Sequence, residues 1–301
     1  MAVQFIETSE HNKIAYEILE ATEQGGYTFV LSPSLGDFRQ EYRKITPLLY
    51  DNGKIFIFYC IFPILISLLS TGKNTVVAAD LRGMGQSDID FGSYEPFESG
   101  RDLIVLLNTI NRSKVILVGC SMSAAAAVYA SASSECEVLG VVLISAFLWD
   151  HAMPFGVRTL LSILLNSFTG PAFWSFYYKS LYTLKPSPVE DLVEYSNKLK
   201  TNLAEKGRIQ ALRGHIFGSK KLCDDRSTIV AEKKLPVYIV YGEKDPDFQG
   251  TGLLPEINGM KQRFPYLTEP LILTGCGHYP HVEQPAAVAT GIFSFLGTIK
   301  G

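Results

Sequence analysis

Two rhythms of hydrophobic positions run along the chain. Short apolar runs rich in β-branched residues recur at Val3–Glu7, Lys13–Leu19, Tyr27–Leu31, Thr75–Ala79, Val115–Cys120, Leu139–Ile144, Pro236–Tyr241 and Leu271–Leu273. Each has the length and composition of a strand. Between them, apolar residues recur every three or four positions over 38–50, 97–110, 253–264 and 285–296, and Ala124–Ala127 opens an Ala-rich helix after the fifth strand. Strands alternating with helices predict an α/β fold: a mostly parallel eight-stranded sheet with helices on both faces. The alternation stops near residue 150. Residues 150–230 carry only helical patterns, at Phe155–Phe168, Phe173–Leu184 and 189–205, with a break at Pro186–Ser187–Pro188. We read 150–230 as an inserted helical cap on a core made of 1–149 and 231–301.

One stretch breaks the pattern. Ile55–Ser70 is uncharged and almost wholly apolar, where only a short helix-to-strand connection belongs. Stretched to residue 72, it barely reaches the length of a membrane span, and Pro63 sits in its middle. A membrane anchor and a buried helix are two readings. The third, which we favour, is a retained in-frame intron over 54–72: Gly53–Lys54 can be encoded with a splice donor and Thr71–Gly72 with an acceptor, and removal joins Gly53 to Lys73 as an ordinary loop. Sequencing the mature transcript tests it, and a message encoding the apolar run would refute it.

Composition adds exclusions. The 301 residues are 47% hydrophobic and 19% charged, with a formal net charge of −3 that offers no electrostatic footprint for nucleic acid. The five cysteines are scattered without a CxxC pair, which favours neither a metal site nor a disulfide framework. The first residues lack the basic and apolar regions of a secretory signal, so a cytoplasmic location is expected.

The chemistry centres on Ser121, between the strand Val115–Cys120 and the Ala-rich helix. Such an abrupt turn forces its residue into a strained backbone with an exposed side chain, and the helix behind aims N–H groups at developing negative charge. Gly119 and Ser123 are small enough to let the backbone pass. A serine hydroxyl needs a base, and the base an orienting acid. On a parallel sheet these are expected at the carboxyl ends of later strands, in the order serine, acid, histidine. His278, in the turn after Leu271–Leu273, is the base; His281 reads as structural, and His151 and His215 lie in the cap. Asp245, after Pro236–Tyr241, is the acid, with Glu243 and Asp247 beside it and Asp150 as runner-up. The oxyanion donors are the backbone N–H of Met122 and, from the loop after the third strand, that of Leu35.

The motif order resembles the α/β-hydrolase superfamily, within its cap-bearing group of esterases, lactonases and related enzymes. The resemblance rests on Ser32–Asp37, Asp80–Ser87 (a DLRGxGxS stretch), Gly119–Ser123, Gly242–Asp245, and Gly277–His278 with Val282–Pro285. It departs from that pattern in Ser123, where the elbow normally ends in Gly, and in Pro33–Ser34, where His-Gly is usual. The resemblance also implies that dehalogenases and epoxide hydrolases of this fold carry Asp at the elbow, which disfavours those reactions. The expectation is a metal-free, cofactor-free serine hydrolase acting on a small, largely apolar ester, thioester or lactone. Phe155, Phe168, Phe173, Trp174, Phe176, Tyr177 and Tyr178 either line its pocket or pack the cap on the core. The alternatives are carbon–carbon bond hydrolysis by the same triad and a non-catalytic ligand receptor. Substrate identity and oligomeric state are not encoded in these patterns.

Overall fold

The computed structural model describes residues 2–52, 72–250 and 252–299. The insert assigned to 54–72 therefore lies, but for Gly72, outside the described residues.

Eight strands form one sheet: β1 (Gln4–Glu7), β2 (Lys13–Leu19), β3 (Thr28–Ser32), β4 (Thr75–Ala79), β5 (Val115–Cys120), β6 (Val138–Ile144), β7 (Val237–Gly242) and β8 (Leu271–Leu273). Their spatial order is β1-β2-β4-β3-β5-β6-β7-β8. β2 is antiparallel to β1 and β4, and every later pairing is parallel. β3 lies between β4 and β5, so β5 sits near the middle and its carboxyl end opens where strand order reverses, the usual ligand edge of such a sheet.

Alternate residues of each central strand feed opposite cores. Val30, Val115, Leu117, Val141, Leu143 and Ile239 face one side, packed on helices α2 (Pro96–Ile110), α3 (Ser123–Ser133) and α10 (Leu253–Arg263). Phe29, Leu31, Ile116, Val118, Val142 and Val240 face the other, with α1 (Thr46–Tyr50) and α12 (Pro285–Leu296). Burial on both faces is why these strands read as continuous apolar runs. The Ala-rich sequence of α3 has its own cause. Ala124–Ala127 are fully buried against the sheet and α2, where a longer side chain has no room.

The helices α4 (Phe155–Leu164), α5 (Gly170–Ser180), α6 (Val189–Leu203) and α7 (Arg208–Phe217) fill the stretch between β6 and β7. They rest on the carboxyl edge through a third cluster, in which Trp174, Leu165, Leu203 and Leu212 meet Leu81, Met84 and Met122. Two short helices follow, α8 (Lys221–Asp225) and α9 (Ser227–Glu232), which pack on α3. The helical pattern over 38–50 is two pieces: a 3-10 turn at Arg39–Lys44, then α1. Pro47 at the start of α1 lacks an N–H and favours a fresh helix start over a continued one.

Candidate active site

Ser121 directly follows β5, two residues before α3 begins, with φ +56°, the left-handed region that a non-glycine residue enters at a cost. Backbone bonds hold it there: its N–H donates to Ile144 O at 2.8 Å, and its carbonyl accepts from Ala124 and Phe147, both at 3.1 Å. Gly119 is required below it, since a Cβ there would lie 2.4 Å from Ser123 O. Ser123 meets the same limit with a small hydroxyl that donates to Pro33 O, tying the elbow to the loop after β3.

Asp245 follows β7. One carboxylate oxygen accepts from the N–H of Asp247 at 3.0 Å, capping the turn Pro246–Phe248, and the other lies 2.8 Å from His278 Nδ1. His278 follows β8, and its backbone N–H donates to Leu181 O at 2.9 Å. Both side chains are buried, so the pair is shielded from competing water. Burial alone would depress the imidazole; the adjacent Asp245 carboxylate and its hydrogen bond, with Asp247 adding to them, outweigh it and raise the pKa to about 9. Asp247 Oδ2 lies 3.7 Å from the same ring nitrogen, and Tyr177 of α5 donates to its other oxygen at 2.6 Å. Burial raises the pKa of Asp247, against the pull of His278 and Tyr177.

The structure thus brings Asp245 to His278. Among the described residues no hydrogen bond joins Ser121 Oγ to His278; Phe147 links them, donating its N–H to Ser121 O while its ring lies 6.1 Å from the imidazole. No acceptor among the described residues engages the N–H of Met122 or of Leu35. Next to Leu35, Gly36 has φ +69°, and a Cβ would lie 2.4 Å from the indole Nε1 of Trp174, which is itself buried without a partner. Ser34, in the place of the usual Gly, donates its N–H to Glu41 at 2.6 Å and its hydroxyl is 3.0 Å from that of Tyr279.

The other candidates go elsewhere. Asp150 accepts from Ser219 and Lys220 on the surface, and Glu243 accepts from Gly275 N–H. His215 is sealed against Arg82 O, with burial pushing its pKa down to about 4. His151 pairs with Glu256 at 2.9 Å. Cys120 and Cys276 are buried, and burial pushes both thiols up, Cys276 to about 12. Of the seven cap aromatics, Trp174 and Tyr178 are buried, but Phe155, Phe168 and Phe176 face solvent and neither line a pocket nor pack on the core. A groove of about 460 Å³ opens between α6 and the loops at Phe38–Gln40 and Gly85–Gln86, without reaching Ser121 or His278.

Sequence reasoning missed a second cluster. His281, in α11 (Pro280–Glu283), and Glu41 approach to 2.9 Å, and with Cys120 they bring three ligand-type atoms within 4.8 Å. Burial would raise the pKa of Glu41, but His281 and the Ser34 N–H lower it. Asp37 beside it is raised well above the carboxylate range by burial and by Glu41. Asp245, Asp247 and His278 form a comparable trio. In the second trio Asp245 is engaged by His278.

A serine held in left-handed backbone between a central parallel strand and a buried helix is what an α/β-hydrolase sheet presents. Residues 52–290 match the sequence profile of the Alpha/beta hydrolase family, and the chain belongs to that family. No curated protein sequence matches it. Among solved structures, it is similar to an esterase from Thermogutta terrifontis (18% identity, TM-score 0.72, all of both chains covered). It is also similar to the esterase EaEST from Exiguobacterium antarcticum (15%, 0.74, covering 99% of this chain and 100% of that one). A bromoperoxidase from Bacillus anthracis is as similar (16%, 0.74, covering 98% and 100%). At such identities the likeness is one of fold. Among the described residues no helix is long and apolar enough to cross a membrane.

Proposed function

We propose that the chain is a serine hydrolase cleaving an ester, thioester or lactone of a small, largely apolar substrate. Family membership supports hydrolytic chemistry. The observation that carries the reading is the left-handed backbone of Ser121 at the turn from a central parallel strand into a buried helix, the place where this fold presents a nucleophile. Ser121 Oγ attacks the carbonyl carbon as its proton passes to His278 Nε2. Asp245, on Nδ1, fixes the tautomer and stabilises the imidazolium. The N–H groups of Met122 and Leu35 receive the oxyanion. Collapse breaks the bond to the leaving group, which takes the proton from His278. Water, deprotonated by the same imidazole, then releases the acyl group. The unpartnered indole N–H of Trp174 supports a substrate with a polar oxygen, since a buried donor left unsatisfied is costly. Substrates are small molecules, and the cytosol is the proposed compartment.

The test is turnover of p-nitrophenyl esters of graded chain length, with fluorophosphonate labelling, by the wild type and Ser121→Ala. Labelling and hydrolysis lost in the variant are expected; turnover retained by it refutes the assignment. The missing Ser121–His278 hydrogen bond favours one rival, a ligand receptor with an unactivated serine. Absence of labelling in the wild type would select it. Catalytic bonds often tighten only when substrate binds, which is why the hydrolase is preferred.

A further inference from the structure

We infer that the outer side of the cap is a docking surface for an anionic lipid bilayer. Residues Ala152–Leu160 are all exposed, and not one residue of α4 is buried. The side chains left in water are large: Phe155 is 84% exposed, Phe168 93%, Phe176 70%, Ile163 64% and Leu160 54%. One exposed hydrophobe is ordinary, but five within twenty-two residues of one inserted element are not. An amphipathic surface of this composition gains by lowering its apolar side into the headgroup boundary of a membrane.

Charge selects the occupant. The chain carries a net charge of −3, yet residues 151–189 contain no Asp or Glu, and their charged side chains are the cations Arg158, Lys179 and Lys185. Lys179 is exposed on α5 three residues after Phe176, hence on the same side of the helix. Arg158 lies over the Phe217 ring with its Cζ 4.8 Å from the centroid, at the border of the exposed helix. An acid-free, apolar segment whose charged side chains are all cations, in a chain of net negative charge, complements an anionic leaflet better than a neutral one. The inner side of α5 carries Trp174 and Tyr177, which touch Gly36 and Asp247. Docking would therefore set the roof of the candidate site against the bilayer. The inference does not depend on the hydrolase reading, because binding is measured without turnover.

The test is co-sedimentation of the full chain with phosphatidylcholine vesicles, with and without phosphatidylglycerol. The wild type is expected to sediment with the anionic vesicles, less so at high salt. Each phenylalanine lost in the series Phe155→Ser, Phe168→Ser, Phe176→Ser is expected to raise the half-saturating lipid concentration by about tenfold. Arg158→Gln with Lys179→Gln should lower binding while keeping some apolar affinity. Melting temperature reports that each variant is folded. No sedimentation, equal binding to neutral vesicles, binding kept by the triple phenylalanine variant, or a dimer that the same substitutions dissolve would each overturn the inference.

Discussion

Two histidines three residues apart in the chain each meet a buried carboxylate, and they do so to different ends. His278 lies 2.8 Å from Asp245, His281 2.9 Å from Glu41. The first pair sits after β7 and β8 at the carboxyl edge of the sheet, with Phe147 linking it to the strained serine and Tyr177 of the cap bonded to the neighbouring Asp247. The second is fully sealed against Tyr42 and Cys120, and its carboxylate also takes the Ser34 N–H of the loop after β3. Distance and burial do not tell these pairs apart. What separates them is the strained serine beside the first; the second, whose neighbour is the buried Cys120 thiol, is read as a strut that holds the loop after β3.

The largest expected effect tests the first pair's claim to chemistry. Ser121→Ala should lower kcat/KM on an activated ester by about 10⁴-fold or more with an unchanged melting temperature. Asp245→Asn should follow at about 10³- to 10⁴-fold, because the amide no longer fixes the reactive tautomer. Steady-state kinetics with circular dichroism checks both. A fall of less than tenfold in either would leave the two histidine pairs indistinguishable in function.

The pattern of the chain made some of this legible in advance and hid the rest for physical reasons. Strands buried on both faces are unbroken apolar runs, so Thr75–Ala79 was readable to the residue, and the short edge strand Leu271–Leu273 was readable as an apolar run although Ile272 faces solvent. The turn after each parallel strand ends at the carboxyl edge of the sheet, which made the meeting of Asp245 and His278 readable although they lie 33 positions apart. Glu41 and His281 left no such trace. One lies in a turn after β3 and the other in a helix after β8, and only the finished packing joins them. Helices α8 and α9 were missed because each is barely longer than one turn, too short for periodicity to register. Helical spacing across Phe155–Phe168 marked a helix but not that its large apolar side chains remain uncovered.

The second pair should respond in stability rather than rate. His281→Asn leaves Glu41 buried without its partner, a loss of about 3–5 kcal/mol in denaturant unfolding, while the folded fraction keeps kcat within a few-fold. The first pair should show a pH response of opposite sign in its two readouts. With His278 raised from about 6.5 unfolded to about 9 folded, the fold favours the protonated ring. That contribution, up to about 3 kcal/mol, is complete below pH 6.5 and vanishes as pH rises through about 9. Catalysis needs the neutral ring, so kcat/KM should climb over the same interval in which stability falls. A rate profile flat from pH 7 to 10 would refute a base with this environment.

The smallest effect concerns the contact through which the cap feels the first pair. Tyr177 bonds Asp247, and Asp247 faces the same imidazole nitrogen as Asp245 from 3.7 Å. Tyr177→Phe removes one hydroxyl and leaves the ring packed beside Phe173 and Trp174. The freed carboxylate loses a donor that had lowered its pKa. Two outcomes separate coupling from mere packing. If the hydroxyl positions the acid loop, Tyr177→Phe should cost about two- to fivefold in kcat/KM, and Asp247→Asn should also move the rising limb to lower pH by removing a negative charge beside His278. If it only anchors the cap, KM should rise with kcat and the limb unmoved. The second result would confine the catalytic electrostatics to Asp245 and make the contrast with the Glu41–His281 pair one of position alone.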